Sequence, residues 1–99
     1  MAHTIFMLQL TTPDTRTYSD YDTLTQAVEA VVKLFEDDFK RKSGSDIVTY
    51  DVNQMFDFLD TVADISFLVF KKETNMYSPM DKDAIKEKIY ALLRQTAMS

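Results

Sequence analysis

The side chains able to do chemistry are few and scattered. A single imidazole, His3, stands near the start of a 99-residue chain that has no Cys and no Trp. A general base needs fixed geometry to its substrate, and residues this close to a chain start ordinarily fray. His3 therefore reads as a surface or interface histidine. Without Cys there is no thiol nucleophile, no disulfide framework and no cysteine-based zinc site. One Gly excludes the Walker loop and the Gly-rich dinucleotide fingerprint, each of which needs several. Carboxylates are abundant, with Asp57, Asp60 and Asp64 at helical spacing and Glu36-Asp37-Asp38 in a run. Such groups can do acid–base work or hold a hard cation. No calcium-loop spacing with its central Gly accompanies them, so they read as a solvated acidic face. No metal and no cofactor is expected.

The balance of charge points the same way. Sixteen acidic side chains against 11 basic ones give a formal charge of −5. That disfavours a surface that tracks phosphates. Lys71-Lys72 and Lys40-Arg41-Lys42 are the basic clusters, and the second suits the carbonyl end of a helix. No strand interleaves basic and aromatic residues in the RNA-recognition pattern. Thr17 and Ser19 each have an acid three residues on, as acidophilic kinases favour, but so do Thr11, Ser43, Thr61 and Ser78. Phosphorylation there would add about −1.5 to −2 charge to an acidic surface.

The length suits one domain, residues 1–99, with an ordinary 45% hydrophobic and 27% charged content. No apolar run approaches the roughly 18–20 residues of a membrane span. Met1-Ala2-His3-Thr4 has no basic region ahead of the short apolar stretch Ile5 to Leu8, so no signal peptide is expected. The zero Cys count suits a reducing compartment, cytoplasm or nucleus.

These residues must be positioned by seven short elements. Thr4 to Leu10 reads as a strand apolar on both sides, with Ile5 and Met7 opposed to Phe6, Leu8 and Leu10. Thr11 to Asp14 is a turn cluster, and Arg16-Thr17-Tyr18 can return as a second strand. Thr23 to about Lys42 carries Leu24, Ala27, Val28, Val31, Phe35 and Phe39 on one helical side. Thr23 is a good cap with Gln26 at capping-box spacing, and Gly44 ends the helix. After a loop from Ser43 to Tyr50, Asp51 can cap a second helix from Val52 to about Thr61. Its apolar side is Val52, Met55, Phe56 and Leu59. Phe56 and Phe58 point to different sides, so at most one is a core residue and the other can line a groove. Ile65 to Phe70 is a strand, Lys72 to Asn75 a turn, and Met76 to Ser78 the return, stopped by Pro79. Asp81 caps a third helix from Lys82 to about Gln95, with Ile85, Ile89, Leu92 and Leu93 as its stripe.

The class is α+β: a small antiparallel sheet of three to four strands with three amphipathic helices on one face. Three helices cover one face of such a sheet and leave the other bare. That face is roughly 400 Å², from about four strands spaced about 4.8 Å and about 20 Å long. It is as large as the apolar patches monomers expose. Either a loop or the chain ends cover it, or a partner does, most simply a second copy packing sheet on sheet about a two-fold axis. Ile5 and Met7 are placed on the outward side, because Phe6, Leu8 and Leu10 supply the larger set for the core. For the Ile65–Phe70 strand, the outward parity is left open.

Several segments together carry a resemblance. They are His3-Thr4-Ile5; Arg16-Thr17-Tyr18 with Asp20-Tyr21; Thr49-Tyr50-Asp51-Val52; and Gln54-Met55-Phe56-Asp57-Phe58-Leu59-Asp60. Ala63-Asp64 with Leu68-Val69, Ile85-Lys86-Glu87-Lys88-Ile89-Tyr90 and Leu92-Leu93-Arg94 complete the set. In this order and spacing the chain resembles the enhancer of rudimentary family nearly end to end. The resemblance implies a small nuclear protein without enzymatic activity. It implies a homodimer whose sheets meet at the interface, with Ile5 and Met7 among the interface residues. It further implies an adaptor that binds short segments of transcription, RNA-processing and RNA-decay proteins in grooves of the dimer. Thr17 keeps Asp20 three residues on and so matches a family phosphorylation site. The chain departs from the family at Ala84, where Trp is usual, at Gln26, where an acid is usual, and at Phe67, often Cys. The competing function is a small direct RNA-binding module, since α+β sheet domains are common RNA platforms. The charge of −5 disfavours it.

Overall fold

Alternation and helical periodicity resolve into a four-stranded antiparallel sheet with three helices packed on one face. The computed structural model describes residues 3–44 and 52–98. In chain order the elements are β1 (Thr4–Gln9), β2 (Thr17–Tyr21), α1 (Leu24–Ser43), α2 (Val52–Thr61), β3 (Asp64–Lys71), β4 (Met76–Met80) and α3 (Lys82–Met98). A 3-10 turn at Pro13–Thr15 links the first two strands. The strand order is β2-β1-β3-β4. Two hairpins, β1–β2 and β3–β4, are thus joined through the central β1–β3 pair, where Phe6 faces Phe67 and Ile5 faces Leu68.

Parity decides where each strand residue goes. Thr4, Phe6 and Leu8 of β1 and Ile65, Phe67 and Val69 of β3 are buried beneath the helices. They meet Ala27, Val28, Val31 and Phe35 of α1, Met55 and Leu59 of α2, and Ile85 and Ile89 of α3. Phe6 and Phe67, opposite each other in register, stack edge to face with centroids 5.4 Å apart. Leu10 departs from the expected core set: it lies past the end of β1 and is 41% exposed. The chain has already turned there, and its carbonyl accepts from the Ala63 N–H at 3.1 Å.

The helix ends follow their cap residues. Thr23 Oγ1 accepts from the Gln26 N–H at 3.1 Å. The Gln26 side chain accepts from the Asp22 N–H rather than that of Thr23, closing the box one residue early. Gly44 ends α1 at φ 69°, and its N–H donates to the Lys40 carbonyl at 2.9 Å. Asp81 Oδ1 accepts from the Ala84 N–H at 3.0 Å at the start of α3. The expected Asp51 cap and the loop residues 45–50 lie outside the described residues.

Pro79 does not stop its strand. β4 runs through it to Met80, with Pro79 opposite Leu68. The physical reason lies in the ladder. The Phe70 N–H donates to the His3 carbonyl at 2.9 Å, which turns the backbone of Phe70, Leu68 and Ser66 towards β1. Alternation then turns Val69 towards Ser78 and leaves Tyr77 and Pro79 facing the free edge. A proline whose missing N–H points out of the sheet breaks no bond.

Candidate functional site: the open face of the sheet

The face turned away from the helices is built by the other parity of the same strands. Ile5 and Met7 of β1 lie on it, paired in register with Leu68 and Ser66 of β3. Phe70 and Leu68 in turn face Tyr77 and Pro79 of β4, while Tyr18 and Asp20 of β2 face Met7 and Ile5. Ile5, Met7, Leu68 and Phe70 are half-buried by their neighbours, whereas Tyr18 is 61% exposed. The Phe70 and Tyr77 rings meet edge to face at 5.4 Å.

The perimeter is polar. The Tyr77 hydroxyl hydrogen-bonds Nδ1 of His3 at 2.6 Å, and His3 Nε2 lies 3.7 Å from an Asp20 carboxylate oxygen. Arg16 donates from Nε and a terminal nitrogen to Gln9 Oε1 at 3.1 and 2.7 Å. An apolar centre inside a polar margin is the anatomy of a protein–protein contact. A hydroxyl, an imidazole and a carboxylate do meet at His3. The 3.7 Å separation between His3 and Asp20 exceeds hydrogen-bond reach.

Of the carboxylates singled out by spacing, Asp38 and Asp57 both line one groove between α1 and α2. Asp60 pairs with Lys86 at 2.6 Å, and that hydrogen bond holds its carboxyl below the ordinary value. Lys86 also lies over the Phe56 ring at 5.5 Å. Asp38 pairs with Arg41 and Lys42, and Asp37 with Lys33. Asp64 sits not on a helix but at the start of β3. Among the described residues, no group of three or more His, Asp or Glu is placed to hold a metal.

Thr17, the candidate modification site, is exposed on β2 opposite Leu8, with Asp20 on the other face of the strand. Neither Phe56 nor Phe58 is fully buried; Phe58 meets Phe35 at 5.6 Å and lines a groove of about 510 Å³ between α1 and α2. Sequence pattern alone does not place Leu68, Phe70, Tyr77, Pro79 and Tyr18 on the open face; register does. Ser66 was the available signal: it shares a face with Leu68 and Phe70, which makes Ile65, Phe67 and Val69 the wholly apolar set.

Comparison with known proteins adds an independent finding. The profile of the family described as "Enhancer of rudimentary" matches residues 1–99. "Protein enhancer of rudimentary" of Drosophila virilis is 50% identical over 101 residues, covering 100% of this chain and 97% of that protein. An enhancer of rudimentary homolog of Echinococcus multilocularis is 44% identical over 100 residues, with 98% of each chain covered. One from Dictyostelium discoideum is 38% identical over 99 residues, covering 98% of this chain and 99% of that protein. None of these names denotes an enzyme.

Proposed function

Since the chain belongs to the enhancer of rudimentary family, we propose that it is a non-catalytic adaptor that works in the nucleus as a homodimer. Two copies meet through the open sheet face. The pair binds short segments of transcription, RNA-processing or RNA-decay proteins. The observation that carries this reading is the row Ile5, Met7, Leu68 and Phe70, apolar and left uncovered by the helices of its own chain. Completing the burial of each such side chain contributes about 1 kcal/mol, half the value of full burial.

The charge supports a protein partner over RNA. The face and its margin set the carboxylates of Asp20 and Asp64 against the guanidinium of Arg16, with no lysine on the strand positions of that parity, and the whole chain is −5. Counterion release needs cations along the contact.

Capture from nuclear extract tests the adaptor role. The wild-type protein is expected to retain RNA-processing proteins, and Ile5→Arg/Met7→Arg to lose them. Equal capture by both forms would remove the dimer from the mechanism.

A further inference from the structure

We propose that the free edge of β2 docks an extended, basic segment of a partner protein, which joins the sheet as a fifth strand. The inference rests on the adaptor reading and names where and how a segment is held.

The two edges of the sheet differ in what they offer. At β4 the outward backbone groups belong to Tyr77 and Pro79, and Pro79 has no N–H to give. At β2 the same ladder logic turns Thr17, Ser19 and Tyr21 towards β1 and leaves Tyr18 and Asp20 facing outward. Each presents one N–H and one C=O. The ends of this stretch are already closed. The Arg16 N–H donates to the Pro13 carbonyl at 3.2 Å, and the Asp22 N–H donates to Gln26 Oε1 at 3.1 Å. What remains is a bounded set of donors and acceptors that one added strand would satisfy. Thr17–Tyr21 contains no Pro and no Lys, two of the devices that ordinarily blunt an edge.

Charge selects the occupant. Asp20 is 73% exposed at its side chain. Past the end of β2, Asp22 and Glu29 line a shallow concavity of about 430 Å³ with Asp20, Tyr21 and Gln26. A basic side chain of an added strand would find carboxylates there. A second copy of β2 would bring its own Asp20 and Asp22 against them, and like charges facing across strands are unfavourable.

The test uses the full chain labelled with nitrogen-15 and a capped peptide, acetyl-Thr-Lys-Val-Arg-Val-Thr-amide. Amide exchange at Tyr18 and Asp20 is expected to be fast in the free protein and to slow at least about tenfold when the peptide is bound. The same peptide with its second to fifth backbone nitrogens methylated should give no protection. A version with Glu for Lys and Arg should bind at least about tenfold more weakly at low salt. Asp20→Pro removes an outward N–H without touching the bonds to β1 and should abolish the protection; Asp20→Asn should only weaken it. If Asp20→Pro does not fold, the methylated peptide makes the same distinction from the other side. No protection at about 1 mM parent peptide, equal binding of the methylated form, or protection of these amides before peptide is added would each overturn the proposal. The last would mean that a second copy occupies the edge. Light scattering on the same sample reports the oligomeric state separately. A monomeric mass contradicts the sheet-face dimer while the residue-by-residue exchange still reports on the edge.

Discussion

Phe67 is the largest fully buried side chain among the described residues. It is wholly buried at the centre of β3, edge-on to Phe6. Phe67→Ala should destabilise the fold by about 3–5 kcal/mol, read from denaturant unfolding at fixed protein concentration. A cost below about 1 kcal/mol would mean that the helix side of the sheet is not the core. Asp60 has a smaller and opposite kind of importance. Its hydrogen bond with Lys86 depresses its folded-state pKa below the ordinary 3.8. A depressed carboxylate contributes stability above its unfolded pKa and loses it as pH falls through the folded one. Asp60→Asn should therefore unfold slightly earlier than wild type at about pH 6, and the two should converge well below pH 3.8. Denaturation midpoints across that range check it. A gap that widens with acid would contradict the sign. At this scale the outward set on β3 was open from sequence. Leu68 and Phe70 are as apolar as Ile65 and Val69, so only Ser66 tells the faces apart.

At the scale of elements, the caps were readable and the boundaries less so. Thr23, Gly44 and Asp81 do what their residue types dictate, because a cap is a local bond between neighbours in sequence. Thr23→Ala should cost about 1 kcal/mol, measured as a lower unfolding midpoint. Thr23→Ser should retain most of that. Gly44 has open space around it but φ 69°, so Gly44→Ala is also expected to destabilise, by about 1 kcal/mol, through backbone strain alone. Pro79 shows where local reading stops. Proline ends a strand only where its N–H is needed, and need is set by which side the neighbour lies on. That side follows from the β1–β3 register, a contact between segments some sixty residues apart. Leu10 falls outside the core for a related reason: alternation extrapolates a strand past the point where the chain turns.

For the whole molecule, the arithmetic of elements was the informative quantity. Among the described residues, three helices and four strands leave one sheet face without cover, and this follows from element count before any register is known. The half-buried row Ile5, Met7, Leu68 and Phe70, with Tyr18 and Tyr77 beside it, is that face. The polar margin at His3, Asp20, Arg16 and Gln9 bounds it. Placing guanidinium groups at Ile5 and Met7 would bury unpaired charge if a second sheet packs there, yet would leave the helix-side core untouched. The mass of the protein in solution by light scattering is therefore the most direct test. The sheet-face dimer predicts twice the chain mass for wild type and a folded, single-chain mass for Ile5→Arg/Met7→Arg. A single-chain mass for wild type, or a double variant that stays paired, would contradict it.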